Sequence, residues 1–183
     1  MNILETVVGS GNGAAVNQLA SQFGLRPDQA TAAIGALMPA LAGGLQKNMS
    51  SEAGLSGLVA AISSGAHEQY LENPRKLADP ATTADGNAIL GHVLGSKDAS
   101  RAAAAQAGQK TGIDPAILRQ MLPLVAALVM GGLSKQAKNS GSDPKQAAGG
   151  LASMLGPLLD RDGDGSMMDD VAGMVGGFMK SRK

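Results

Sequence analysis

The densest chemistry in this 183-residue chain is a run of carboxylates close to its C-terminal end. Asp160, Asp162, Asp164 and Gly165 spell D-x-D-x-D-G, the first half of a calcium loop. Calcium takes about six to eight oxygen ligands, and alternate carboxylates on a tight turn supply three of them. Gly165 permits the sharp turn, the carbonyl of Ser166 is placed to be a backbone ligand, and Asp169 and Asp170 bring further oxygens. The second half departs from the EF-hand pattern, because its twelfth position is Val171 rather than a bidentate glutamate. The expectation is a weak calcium site rather than a regulated switch. A second reading needs no metal. Ser166 and Asp169 form a capping box that opens a helix, and Asp170 favours the positive end of that helix.

Other chemistry is thin. The chain has no cysteine, which excludes disulfides, thiolate metal sites and thiol catalysis. His67 and His92 are its two histidines. Neither has neighbours at metal-ligand spacing, and both read as packed or backbone-bonded side chains. No defensible Ser-His-Asp order supports nucleophilic catalysis, so no catalytic residue is assigned and the chain reads as a non-enzyme. Gly9, Gly11 and Ala14 superficially fit the G-x-G-x-x-A of a dinucleotide site. That site needs a strand on each side, and none is visible, so the glycines read as a hinge between helices. Tyr70 and Glu72 read as a surface pair.

These residues must be held by helices. Aromatics are confined to one Tyr and two Phe, while 26 glycines and 31 alanines make up almost a third of the chain. A core of Leu, Ile, Val and Met with close backbone contacts suits helices better than sheets. Helical periodicity places elements at 2–8, 12–23, 27–48, 52–71, 85–95, 98–111, 115–138, 143–159 and 167–180. Ile34, Leu37, Leu41 and Leu45 share one face, as do Ile117, Met121, Leu124 and Leu128. Leu122, Val125 and Val129 add a second face, so 121–133 is apolar nearly all round and belongs in a core or an oligomer interface. That run is thirteen residues, shorter than the ~20 that span a bilayer. The fold class is all-α.

One self-match persists, at an offset of 88. Gly24-Leu25-Arg26-Pro27 falls on Gly112-Ile113-Asp114-Pro115, and Gly43-Gly44-Leu45 falls on Gly131-Gly132-Leu133. Each copy is a helix, a glycine stop, a proline start and a long helix with an internal proline, Pro39 or Pro123, expected to kink it. The spacing puts the two prolines on similar faces. The chain thus reads as two repeated helical units, 1–71 and 85–183, joined by the proline-containing linker 72–84, or as one compact domain. Gly91/Gly95 and Gly173/Gly177 are small-x-x-x-small pairs that would permit close helix crossing. Met168, Val171, Met174, Val175, Phe178 and Met179 make a methionine-rich face suited to its own core or a partner.

The order Asp85-Gly86-Asn87-Ala88-Ile89-Leu90-Gly91-His92-Val93-Leu94-Gly95, then the alanine-rich 99–107, Thr111–Asp114 and Leu122-Pro123, resembles the bacterial DUF937 family, also called YidB-like. The acidic run 160–170 resembles the ending of many members, so the likeness is firm over 85–180, and it is weaker over 1–70, where the internal repeat supports it. It implies a compact multihelical fold, sometimes described as homeodomain-like. It implies no activity and no catalytic residues, because the family is uncharacterised.

Fifteen basic residues balance fifteen acidic ones. A nucleic-acid binder shows a basic surplus on some face. Lys47, Arg119, Gln120, Lys135 and Lys138 are too dispersed for a recognition stripe, so a nucleic-acid module is the alternative and not the first reading. The N-terminal residues lack a signal-peptide pattern, and the expectation is a soluble cytoplasmic protein. Its expected role is interaction or structure, with a protein partner or self-association, and calcium is its one expected ion.

Overall fold

The computed structural model describes residues 3–9, 13–64 and 66–139. Within them the chain is helical and has no strand: α1 (Ile3–Gly9), α2 (Ala14–Phe23), α3 (Pro27–Met49), α4 (Glu52–Ser63), α5 (Gln69–Glu72), α6 (Pro80–Val93), α7 (Lys97–Thr111) and α8 (Pro115–Asn139). A 3-10 turn, Pro74–Ala78, precedes α6. The fold class is therefore all-α, as expected. The acidic run and the elements expected at 143–159 and 167–180 lie outside the described residues.

Local chemistry starts and stops these helices. Ser51, Asp79, Ser96 and Asp114 each accept from a backbone N–H in the first turn, of Gly54, Ala81, Ala99 and Ala116 respectively. Each such cap satisfies a donor that the helix itself cannot. The two Gly-to-Pro turns are built alike: Gly24 (φ +64°) and Gly112 (φ +71°) are left-handed, and Pro27 and Pro115 open the next helix. The likeness is local, because the two long helices use different glycines and different faces further on.

The centre is α8. Every residue from Met121 to Ser134 is buried, and every other α-helix among the described residues packs against it. The side chains expected on two faces of this helix are thus wrapped on all sides. Pro115–Lys138 is long and apolar enough to cross a membrane by length and composition, which the thirteen-residue run had not suggested, yet most of it is buried inside the protein. Helix α3 supplies the second apolar wall through Ile34, Leu37, Leu41 and Leu45, all buried.

Glycines set how closely the helices approach. A Cβ on Gly86 of α6 would stand 2.0 Å from the Pro123 carbonyl oxygen of α8. On Gly131 it would stand 2.6 Å from the His67 carbonyl, and on Gly44 2.4 Å from that of Val93. Asn48, one turn beyond Gly44, donates from Nδ2 to the His92 carbonyl at 2.8 Å, which ties the end of α6 to α3. The crossing of α6 on α8 therefore rests on Gly86. Gly91 and Gly95, the expected pair, have open space where a side chain would be, and Gly173/Gly177 lies outside the described residues.

Three expectations change. The segment 52–71 is two helices, because the Ser64 hydroxyl donates to the Ala61 carbonyl and the chain turns. Most of 72–84 is helical, because Pro74 and Pro80 open helical turns rather than break them. One residue fixes this stretch: Leu77 is fully buried, on a turn that packs against α2. Thr82 Oγ1 then donates to the Lys76 carbonyl at 2.5 Å. Lastly, α3 and α8 run unbroken past Pro39 and Pro123, and Pro39 is exposed while Pro123 is buried, so the two do not share a face.

The two kinds of α6 glycine give a direct test. Gly86→Ala is expected to destabilise by about 1–3 kcal/mol, as overpacking of a backbone contact does. Gly91→Ala, which meets nothing, is expected to stabilise by up to ~1 kcal/mol through helix propensity. Urea denaturation of both variants reads the difference, and equal midpoints would remove the Gly86 crossing as a determinant.

Candidate functional site

The pocket with the most chemistry lies where α3, α4, α6 and α8 meet, and has a volume of about 400 Å³. Its floor and walls are apolar, with Leu45, Gly57, Ala61, Ile89 and Met130. Asn48, His67, Asp85 and His92 supply polar groups at its edge. Asp85, Ala88, Ile89 and His92 follow at spacings of three, one and three, which is one face of α6. His67 arrives from a different element, just before α5, because its carbonyl is seated on Gly131 of α8.

A polar junction behind this pocket anchors it. Tyr70 is buried, and its hydroxyl donates to Asp85 Oδ2. Burial pushes the phenol up to about 12, and the hydrogen bond and charge of Asp85 push in the same direction. Burial lowers the His67 imidazole below its ordinary value, with Asp85 opposing. The His67 and Tyr70 rings lie 6.1 Å apart and tilted by 30°. Beside them Glu68, whose side chain is 11% exposed, accepts from Lys138 Nζ at 2.9 Å, which fastens the last turn of α8 to this junction.

Chemically this arrangement offers an apolar pocket with a polar edge, part of which is already engaged. The phenol holds its proton, and the carboxylate that could act as a base is engaged by that same proton. No side chain among the described residues is hydrogen-bonded to His67 Nδ1, which is buried. Among the described residues no three histidines and carboxylates converge as metal ligands. An apolar pocket with a few convergent polar groups is the usual form of a small binding site.

The expected site residues stand differently. Asp160, Asp162, Asp164, Ser166, Asp169 and Asp170 lie outside the described residues. His67 and His92, read separately as packing residues, line one pocket, and His92 is exposed rather than packed. Tyr70 is not a surface partner of Glu72: it is buried and bonded to Asp85, while Glu72 is exposed. That pair joins residues fifteen apart on different helices, so no local spacing signals it. The Asp85–His92 face of α6 was legible in the spacing alone.

A family model described as a bacterial protein of unknown function, DUF937, matches residues 5–136. The chain belongs to this family. The match begins well before residue 85, where the resemblance was read most firmly, and ends short of the acidic run. Comparison with curated proteins and with solved structures finds no match.

Tyr70 is the one tyrosine of the chain, so its ultraviolet titration reads a single group. The phenol sits above its ordinary value of 10 in the fold. The stability it contributes is therefore complete below pH 10 and is lost as pH rises from there to about 12. Wild type is expected to ionise near the upper value and Asp85→Asn closer to the ordinary one. A wild-type midpoint near the ordinary value would show that the Tyr70–Asp85 contact does not hold in solution.

Proposed function

We propose that this member of a bacterial family of unknown function is a non-enzymatic interaction protein. We take its α4–α6 pocket to hold the methionine-rich face of residues 168–179 of its own sequence. The observation that supports this reading most is the pocket's apolar wall, beside a carboxylate that is already engaged. Tyr70 and Asp85 satisfy each other, while Gly57, Ala61, Ala88 and Ile89 leave a wall of small and aliphatic side chains. Methionine is unbranched and polarisable and fills irregular apolar surfaces of this kind.

Chain geometry favours that occupant. Lys138 is bonded to Glu68, adjacent to His67 of the pocket, so the described fold ends beside the groove. From Asn139 to Met168 is 29 residues of sequence. Even a flexible chain of that length has a reach of roughly 30 Å, which spans the short distance to the pocket. Supplied by the same molecule, the segment closes the groove of a monomer. Supplied by a second copy, it joins protomers. The D-x-D-x-D-G run between them would act as an accessory cation loop through Asp160, Asp162, Asp164, Ser166, Asp169 and Asp170. A cytoplasmic setting fits this reading.

The absence of cysteine makes the test clean. A spin label on Ala53→Cys, an exposed residue of the pocket wall, is expected to broaden the methyl signals of Met168, Met174 and Met179 in the full chain. Met130, which lines the pocket, is the internal control. Broadening of Met130 without those three would sink the docking. Mixing labelled with unlabelled protein then tells a second copy from the same chain. Calcium titrated into wild type is expected to give weak heat that Asp162→Ala/Asp164→Ala abolishes, and no heat at millimolar calcium would remove the ion.

A further inference from the structure

On the face of α6 opposite the apolar pocket lies a wider cleft of about 960 Å³, walled by α2, α6, α7 and α8. Its charged lining is Lys97 and Arg101 from the start of α7 and Arg119 from α8, and no aspartate or glutamate lines it. Arg101 Nη1 is paired with Asp98 at 2.7 Å, but Asp98 is 87% exposed and stands outside the cleft wall. Lys97 and Arg119 make no ion pair among the described residues. Lys97 and Arg119 therefore stand beside a third cation with no carboxylate in the cleft lining between them, and no packing need brings these three together, since all are exposed on their own helices.

The floor has a different character. Phe23, Leu90 and Leu124 present apolar surface beneath the cations. Gly91 and Gly95 border the same space, and a Cβ on either would meet nothing within 4 Å. An exposed helical glycine such as Gly91 costs about 1 kcal/mol relative to alanine, and here no helix crossing accounts for it. Its effect is that no side chain from this position enters the cleft. The cleft volume is at the upper end of those that hold small organic molecules, roughly 300–1,000 Å³.

We propose that this cleft binds a small molecule carrying a phosphate group on a planar or apolar body. Arg119 and Lys97 take the phosphate, since guanidinium and ammonium donors give charge-assisted hydrogen bonds to its oxygens. The first turn of α7, a helix of fifteen residues, adds a positive dipole end on the same side. Phe23 and Leu90 receive the body of the ligand. This site is independent of the α4–α6 pocket and of what occupies it.

Calorimetry on the full chain with ADP, a diphosphate joined to a planar ring, is the test. Arg119→Gln and Lys97→Gln are each expected to weaken binding at least tenfold while leaving the melting temperature of these exposed-site variants unchanged. Lys110→Gln, exposed at the far end of α7, is expected to bind like wild type. No heat with ADP, or equal weakening by Lys110→Gln, overturns the proposal. So does tighter binding of a single-stranded oligonucleotide that all three variants weaken alike, which points to a nucleic-acid surface instead. Co-sedimentation with phosphatidylglycerol vesicles in the absence of ADP binding overturns it in favour of a lipid headgroup.

Discussion

A helix that is apolar on every side cannot rest on a surface, and that constraint organises this molecule. Fourteen consecutive residues of α8, Met121 to Ser134, have no solvent-facing side. Amphipathic helices need one partner; this one needs a sheath. The other seven helices supply it, and most are short or rich in small residues because each has to cover only part of one cylinder. Burying a side chain such as Leu122 or Leu128 gains about 1.5–3 kcal/mol, so the enclosure of α8 is where the apolar driving force is concentrated.

Small residues are how the sheath fits. With one tyrosine and two phenylalanines in the chain, there are few large side chains to hold helices apart. Gly86, Gly131 and Gly44 instead let backbones touch backbones, and Ala103, Ala104 and Ala107 do the same for the buried face of α7. Close approach leaves little room for polar groups, and several that enter are tied: Tyr70 to Asp85, Thr82 to Lys76 and Glu68 to Lys138. Ser134 Oγ and His67 Nδ1, by contrast, are buried with no protein partner among the described residues. Among the described residues the same tight sheath leaves openings on opposite faces of α6, and their linings differ. One is apolar with a polar edge; the other is cationic over an apolar floor.

Much of this scaffold was legible in the residues. The period of Ile34, Leu37, Leu41 and Leu45 named the inner face of α3, and the unbroken apolar run of α8 narrowed it to a core or an oligomer interface, of which the fold shows the core. Glycine followed by proline named the two long-helix starts, because each residue acts on its own backbone. What stayed hidden depends on partners far along the chain. Leu77 carries no periodic company, yet its single buried side chain orders a stretch that read as a linker. Gly86 and Gly91 look alike in sequence, and only the position of Pro123 separates a crossing from an open edge. Tyr70 and Asp85 meet because two different elements pack on α8. Arg119, read as one of several dispersed polar residues, likewise shares a cleft with Lys97 and Arg101 because the α7–α8 turn brings the two helices together.

The order of elements along the chain gives the central helix a temporal consequence. Helix α8 is the last of the described elements, so a ribosome working at ~5–20 residues per second spends roughly 6–22 s on the chain through α7 and about 1–6 s more before α8 is complete. During that interval the sheath exists without the cylinder it encloses, and its apolar faces have only one another. Isolated helices shorter than about 12–15 residues are marginal in water, which describes α1, α2, α4 and α5. Assembly during synthesis is therefore gated by a single late event, the emergence of residues 115–139, and nascent chains stalled before it are the form of this protein most in need of chaperone shelter.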